Sequence, residues 1–446
     1  MTDAVTAQFN AQCLGGDRGL LTAVTRAPYP PLFHASCGTR LLPRPFFVDE
    51  AQMRGFAADV RALFDLLVEV PQRLFGGDLG AYCDALGIPP AQAALMRRFG
   101  DAPPVPYGRA DIYHDGTGFK LLEFNIGSEL GGTDRAEIQR ALLQVPEFAD
   151  FAARHGLTYV HTGERVAAAL RAAAAPVAGD APPVVALLEA DGGLSSYLHL
   201  VLSFQEMMRG LGIELLVGEV GQVSERGGRI LLDGRPVDVV LRYFSTAQIA
   251  RAPGAADAIA PILRAHEEGR VVLYTTFASS LYANKGCLAL LSDDRGRAAC
   301  TDAERELVDR VLPWTRALTA AQVERCRAER DQLIVKPRAD FAGTGIHAGW
   351  EYDDREWARI LGECADAGFV VQRRVVPRRE PVVDPDTGEV ADWKAAWDVF
   401  LTPDGYAGSH IRALPYGDGA VVGMGANPAC RTTGPFLVPG AAGRAA

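Results

Sequence analysis

Two short segments carry the residues best suited to chemistry. Arg109-Ala110-Asp111 is followed by Leu121-Leu122-Glu123-Phe124-Asn125, which sets one guanidinium beside two carboxylates and an amide oxygen. Oxygen donors of this kind suit magnesium, which asks for hard ligands in near-octahedral geometry and keeps part of its shell for substrate phosphate. Zinc would call for Cys or His. The segments read as strands, GRADIYH and FKLLEFN, joined by the turn-rich Asp115-Gly116-Thr117-Gly118, so a hairpin is expected. All four candidates bear odd numbers, and with an odd-length loop side-chain alternation puts Arg109, Asp111, Glu123 and Asn125 on one face. Glu123 breaks an apolar run, Leu121-Leu122 before it and Phe124 after it, and a carboxylate so placed needs a partner to stay charged.

A second set lies in the last third of the chain. Leu333-Ile334-Val335-Lys336-Pro337 followed by Phe341-Ala342-Gly343-Thr344-Gly345 reads as a strand delivering a lysine, then a glycine loop whose amides can approach phosphate. It has neither the Walker nor the Rossmann spacing, and by itself it reads better as a plain β-turn. Asn284-Lys285 heads an expected helix over 286 to 292 and adds a second lysine, while Phe369-Val370-Val371-Gln372 is a strand whose backbone can bond a planar base. Ser409-His410-Ile411-Arg412, then Gly423 to Asn427 with Arg431, repeats the theme of a strand with an arginine and a small-residue loop. Arg373, Arg374, Arg378 and Arg379 either receive an acidic substrate or form a solvated face. His114 and His410 are not assigned as bases, because a lone strand histidine is more often packing than catalytic.

These residues must be positioned by a sizeable scaffold, and 446 residues, 48% of them hydrophobic, can bury one large core or several linked subdomains. A net charge of −10 argues against nucleic acid or an anionic membrane as the main partner, though local lysines still bind phosphate. Eight cysteines without any C-x-x-C pair read as reduced thiols. The N-terminal MTDAVTAQFN has no signal-peptide pattern and no long apolar run occurs, so a cytoplasmic protein is expected.

Residues 1–150 read as a helical scaffold plus the hairpin, with apolar residues at helical spacing from Glu50 to Leu67 and Pro89 to Arg98. Residues 151–275 alternate strands and helices, including Val184 to Leu188 and Glu214 to Val217, closed by a hairpin-like pair, Ile230 to Leu232 with Val237 to Phe244. That alternation predicts a small parallel sheet, a Rossmann-like layer. The loop Glu189 to Gly193 ends its first strand, where ligands meet such sheets. Residues 276–446 carry the lysines, the glycine loop and closing strands, with a frayed tail from Pro439.

The pattern R-x-D, then E-[FY]-N twelve residues after the aspartate, resembles the magnesium motif of glutathionylspermidine synthetases and related circularly permuted ATP-grasp ligases. In those families the hairpin precedes the nucleotide-binding lysines, as here. The resemblance spans about Pro106 to Phe436 in motif order and implies a mixed α/β fold, a circularly permuted ATP-grasp with a Rossmann-like pre-ATP-grasp layer. It implies ATP and Mg2+ as cofactors, with Asp111, Glu123 and Asn125 on metal and Arg109 and Arg412 at the reacting phosphate. Lys285 and Lys336 would contact phosphates and base, Gly343 and Gly345 would cover the triphosphate, and Gln372 would mark the adenine hinge; Asn427 is a weaker candidate for closing the site. The implied activity joins a small carboxylate, an amino acid or short peptide, to an amine through an acyl phosphate, in a protein that is often a homodimer. A non-catalytic nucleotide-binding protein and a carboxylate kinase are the rival readings.

Overall fold

The computed structural model describes residues 2–37, 39–100, 102–339 and 343–440. Phe341 and Ala342 of the glycine loop, and the tail beyond Gly440, lie outside them. The fold is mixed α/β, built around three sheets that converge on one cleft.

The central sheet has six strands: β1 (Gly108–His114), β2 (Phe119–Ile126), β3 (Glu380–Val383), β4 (Val390–Thr402), β5 (Gly405–Pro415) and β6 (Arg431–Thr433). The hairpin β1–β2 joins it through β4, which pairs antiparallel with β1, β3 and β5. Strands far apart in sequence therefore lie side by side, and β4 places Asp398 directly opposite Asp111.

One face of this sheet is apolar. Ala110, Ile112, Trp397, Val399, Ile411 and Ala413 share a buried cluster with Met53, Phe56, Val60, Leu63, Phe64 and Leu67. The latter six recur every three or four residues along the helix Glu50–Phe75, so one stripe of that helix faces the sheet. Burying each such side chain contributes on the order of 2 kcal/mol. Asp49 starts the helix by accepting from the Gln52 N–H, and Gly76, at φ 61°, ends it.

A second sheet is wholly parallel, in the order 272–274, 239–242, 184–189, 214–219. The helices Thr162–Ala178 and Leu198–Gly210 cover one face and Ala255–Glu267 the other. The expected hairpin between Ile230 and Phe244 forms only near its turn: Arg229–Leu232 pairs with 235–236, and Val237 N–H donates to the Ile230 carbonyl, within a separate three-stranded sheet that includes 223–226, whereas Val239–Arg242 enters the parallel sheet. All four residues of Val239–Arg242 are buried, as a strand covered on both faces must be.

The third sheet, antiparallel in the order 315–317, 369–373, 333–337, 347–348, packs Leu333, Val335 and Val371 on the helix Asp354–Cys364. Its opposite face brings Lys336 and Gln372 to the cleft. No disulfide links any of the eight cysteines. Among the described residues no helix is long and apolar enough to cross a membrane.

Candidate active site

The polar face of the central sheet is a row of charges. The hairpin register pairs Arg109 with Asn125 and Asp111 with Glu123, so the four odd-numbered candidates do share one face. The reason differs from the expected one. The turn between His114 and Phe119 holds four residues, an even number, which by itself pairs odd positions with even ones. A bulge between Asp111 and Ile112 restores odd-with-odd pairing, because Leu121 opposes Ile112 while Glu123 opposes Asp111, leaving Leu122 extra. Leu121 thereby enters the apolar core while Glu123 turns to the cleft.

Around Asp111 every polar neighbour is engaged. Arg109 donates from Nε and Nη2 to its two carboxylate oxygens at 2.8 and 3.2 Å, Asn125 Nδ2 donates at 3.1 Å, and Arg412 Nη2 donates at 2.7 Å. Arg412 also grips Asp398 through Nε at 2.8 Å and Nη2 at 2.6 Å, and donates from Nη1 to the Val422 carbonyl. His410 Nε2 lies 2.8 Å from Asp398 Oδ2. Lys285 Nζ is 3.2 Å from Glu123 Oε2. Lys336 Nζ donates to Gln372 Oε1 at 2.9 Å and approaches the Leu122 carbonyl at 3.4 Å.

Burial and charge act in opposite senses along the row. Burial pushes the Asp111 carboxyl above the usual range, and the neighbouring Asp398 charge adds to this against Arg109 and Arg412. Burial works against Asp398 too, yet Arg412, His410 and Arg109 hold it well below the usual carboxylate range. Glu123 is likewise held low by Lys285 and Lys336 despite its burial. Burial brings Lys336 down to about 8, with the nearby Lys285 adding to the fall and Glu123 opposing it.

The cleft over this row has a volume of about 1600 Å³, beyond the roughly 300–1,000 Å³ of a pocket for one small ligand. Arg109, Asp111, Glu123, Asn125, Lys336, Gly343, Gln372 and Arg412 all line it. Lys285 is buried next to Asn284, which lines the cleft, and its Nζ meets the lining residue Glu123. Gly343 and Gly345 adopt φ of 80° and 68°, as a tight glycine loop requires; Gly343 faces Val421 across the cleft, whereas Gly345 packs toward Pro337. The Gln372 side chain is fixed between Lys336 Nζ and Thr315 Oγ1, and the chain beyond it, at Val375 and Val376, also lines the cleft.

The remaining candidates divide. Arg373 and Arg374 border the cleft, but Arg373 is bound to Glu329 and Arg374 lies 3.9 Å over the Trp350 ring. Arg378 and Arg379 are paired with Glu380 and Asp392. Asn427 turns its side chain into its own loop, accepting from the Ala429 N–H. His114 sits on the apolar side, accepting from the Gly116 N–H, and burial lowers it to about 4. Among the described residues His410 Nδ1 has no hydrogen-bond partner; it is buried under Gly132, where an added Cβ would stand 3.0 Å from it.

Comparison with known proteins adds the fold. No family model matches the chain, and no curated protein does. The backbone is similar to that of a glutathione synthetase-like effector. That protein, from Globodera pallida, is 14% identical, with a TM-score of 0.56 over 89% of this chain and 90% of its own. A "Putative gamma-glutamylcysteine synthetase" from Methylobacillus flagellatus KT, also 14% identical, aligns over 84% and 86% with a TM-score of 0.43, too loose to argue from.

Asp398 is the functional-site residue that sequence reasoning missed. Its signature matches that of Glu123: an acid inside an apolar run, Ala395-Ala396-Trp397 before it and Val399-Phe400-Leu401 after it.

Proposed function

We propose that this chain is an ATP-dependent ligase of the circularly permuted ATP-grasp type, joining a carboxylate to an amine and releasing ADP and phosphate. One observation carries the reading. The acids and amide of the β1–β2 hairpin meet two lysines from the far half of the chain, with Lys285 on Glu123 and Lys336 against the Leu122 carbonyl. A glycine loop at Gly343 lines the same cleft, and on this reading the parallel sheet beside it would serve as the Rossmann-like pre-ATP-grasp layer. The similarity to a glutathione synthetase-like fold is in keeping with this.

The donor set fits magnesium: Asp111 and Glu123 offer carboxylates and Asn125 an amide oxygen, with no sulfur or imidazole among them. Magnesium held there would supply charge neutralisation for a transferring phosphoryl group. Lys285 and Lys336 would hold the triphosphate. The cations Arg109, Arg412, Lys285 and Lys336 gather in one row with the acids Asp111, Asp398 and Glu123, so positive groups stand beside the place proposed for phosphate. Arg109 and Arg412 would face the carboxylate oxygen as it attacks the terminal phosphorus, the bond to the ADP oxygen breaking as the new one forms. The same guanidiniums would then stabilise the oxyanion when the neutral amine nitrogen adds to the resulting acyl phosphate and phosphate departs with the displaced bond pair, the proton lost from nitrogen passing to the departing phosphate.

ADP release is to be measured against a panel of carboxylates with and without amines, in wild type and Asp111→Asn. Amine-dependent release that drops about a hundredfold or more in the variant is expected. Release that ignores amines would indicate a carboxylate kinase, and turnover surviving within a few-fold in the variant would remove the metal assignment.

A further inference from the structure

One acid of the charged row has a different standing from the rest. Asp398 is fully buried, whereas its partners Asp111, His410 and Arg412 border the cleft. Desolvation offsets most of the attraction within a buried ion pair, so stability alone is a weak reason for it. The sheet sets the arrangement. His410 on β5 and Asp111 on β1 stand directly opposite Asp398, one on each side, and Ala396 stands opposite Arg412. Alternation puts all of these on the polar face. A methyl at position 396 leaves the long Arg412 side chain room to cross to Asp398 and on to Asp111.

The guanidinium hydrogens can be followed one by one. Nε and one Nη2 hydrogen close a fork on Asp398, 2.8 and 2.6 Å long, Nη1 donates to the Val422 carbonyl at 3.0 Å, and the other Nη2 hydrogen goes to Asp111 at 2.7 Å. If Asp111 turns to a ligand, only the last of these bonds is lost. The second Nη1 hydrogen has no partner among the described residues, and Arg412 borders the cleft. A carboxylate gripped from one side can still turn about its Cβ–Cγ bond, and His410 removes that freedom: its Nε2 lies 2.8 Å from Oδ2, the oxygen that also accepts from Arg412 Nε. Because Asp398 is held ionised, the proton of this bond sits on Nε2. Burial, with Arg109 and Arg412, keeps the ring below the usual imidazole range against the pull of Asp398, so it donates as a neutral group. Gly132 packs on the ring, where a Cβ would stand 2.4 Å from Cε1, and the adjacent Gly131 carbonyl accepts from Arg109 Nη1 at 2.9 Å. Both guanidiniums are thereby tied to groups other than the acids proposed for metal.

We propose that Asp398 and His410 are positioning residues: His410 fixes the Asp398 carboxylate, and Asp398 holds the Arg412 guanidinium toward an anion in the cleft whether or not Asp111 shares it. That this anion is a transferring phosphoryl group rests on the ligase reading; that Arg412 depends on the pair does not. A donor held in advance stabilises developing charge without reorganising, and loosening the group that orients it is expected to cost about 10–100-fold in rate, as it does for partners of metal ligands.

In full-length protein isotope-labelled at arginine, the Arg412 Nε–H is the magnetic resonance signal lost in Arg412→Lys, and its hydrogen exchange reports how firmly the fork is closed. His410→Phe keeps a ring without a donor; it is expected to speed that exchange about tenfold or more and to lower kcat for ADP release about tenfold or more, with KM for ATP within about twofold. His410→Gln puts an amide N–H near the place of Nε2 and should return both to within about threefold of wild type. In wild type alone, saturation with ADP and magnesium should leave the exchange within about threefold, since the fork on Asp398 persists, which keeps the test decisive if a variant does not fold. Positioning is overturned if His410→Phe exchanges as wild type does, if His410→Gln melts as wild type yet exchanges as fast as His410→Phe, or if ADP and magnesium free the signal in wild type. Faster exchange in His410→Phe that His410→Gln reverses, together with ADP release that ignores amines, would uphold the pair and remove the ligase reading. Amine-dependent release with kcat unchanged in His410→Phe would do the reverse.

Discussion

The charged row makes a sharp prediction about two acids that stand opposite each other. Asp398 and Asp111 are neighbours across β4 and β1, and both contact Arg412, yet their carboxyls are shifted in opposite directions. A carboxylate held below its ordinary pKa contributes stability that is present above the unfolded value and lost as pH falls through the folded one; one held above it is a net burden when charged. Asn substitution imitates protonation. Asp398→Asn strips charge from a fully buried group bonded twice to Arg412 and once to His410, and breaking such a pair costs about 3–5 kcal/mol. Asp111→Asn removes a charge that burial already disfavours and keeps an acceptor for Arg109, so it should cost under about 1 kcal/mol. Scaling the unfolding entropy to 446 residues gives about 1 °C of Tm per kcal/mol. The expectation is that Asp398→Asn melts about 3–5 °C below wild type and Asp111→Asn within about 1 °C of it, read by scanning fluorimetry at neutral pH. Equal losses in the two variants, or a larger loss in Asp111→Asn, would refute the assignment of which acid the fold holds ionised.

Other expectations follow from neighbouring residues. Lys336→Met should weaken ADP binding by calorimetry about tenfold or more, and wild-type affinity should fall from about pH 7 to about pH 9 as the amine, already brought down to about 8, loses its proton. Arg412→Lys cannot bridge Asp398 and Asp111 with a planar fork, and should slow ADP release about a hundredfold in a coupled assay. Gly132→Ala combines φ of 89° with a Cβ placed 2.4 Å from His410 Cε1, so it should lower stability by about 1–3 kcal/mol in a thermal melt. Chelating magnesium with EDTA should weaken nucleotide binding at least about tenfold in the same calorimetric titration.

Much of the site could be read from residue types, and what could not be read was set by pairing between distant strands. Arg109, Asp111, Glu123 and Asn125 lie within one hairpin, so local alternation suffices to gather them. The bulge was hidden in the Leu121-Leu122 doublet: two adjacent leucines cannot both face the core of a strand, and the extra residue had to go somewhere. Asp398 and His410 reach the row only because β4 inserts between β5 and β1, a pairing across nearly 300 positions that no local pattern encodes. Val239–Arg242 was drawn toward a hairpin by its nearness to Ile230, although its continuous burial is the mark of a strand inside a parallel sheet.

The row's pairing has a consequence for how ligands would enter it. Asp111 and Glu123, the acids proposed for metal, are now satisfied by Arg109, Arg412 and Lys285, the cations proposed for phosphate. A metal ion alone would have to displace these cations from Asp111 and Glu123, leaving Arg412 on Asp398 and the Val422 carbonyl and Arg109 on the Gly131 carbonyl; a triphosphate alone would draw them off and leave the acids uncompensated. Either half-reaction carries the cost of a broken buried pair, several kcal/mol. Entering together, metal takes the acids as phosphate takes the freed guanidiniums and ammonium, so that no charge is stranded. Binding of the two is therefore an exchange of partners, and the coupling must be reciprocal: whatever factor the metal adds to nucleotide affinity, the nucleotide adds to the metal's. On the proposed function, the row of compensating charges, rather than any one ligand within it, would keep either species from settling in the cleft without the other.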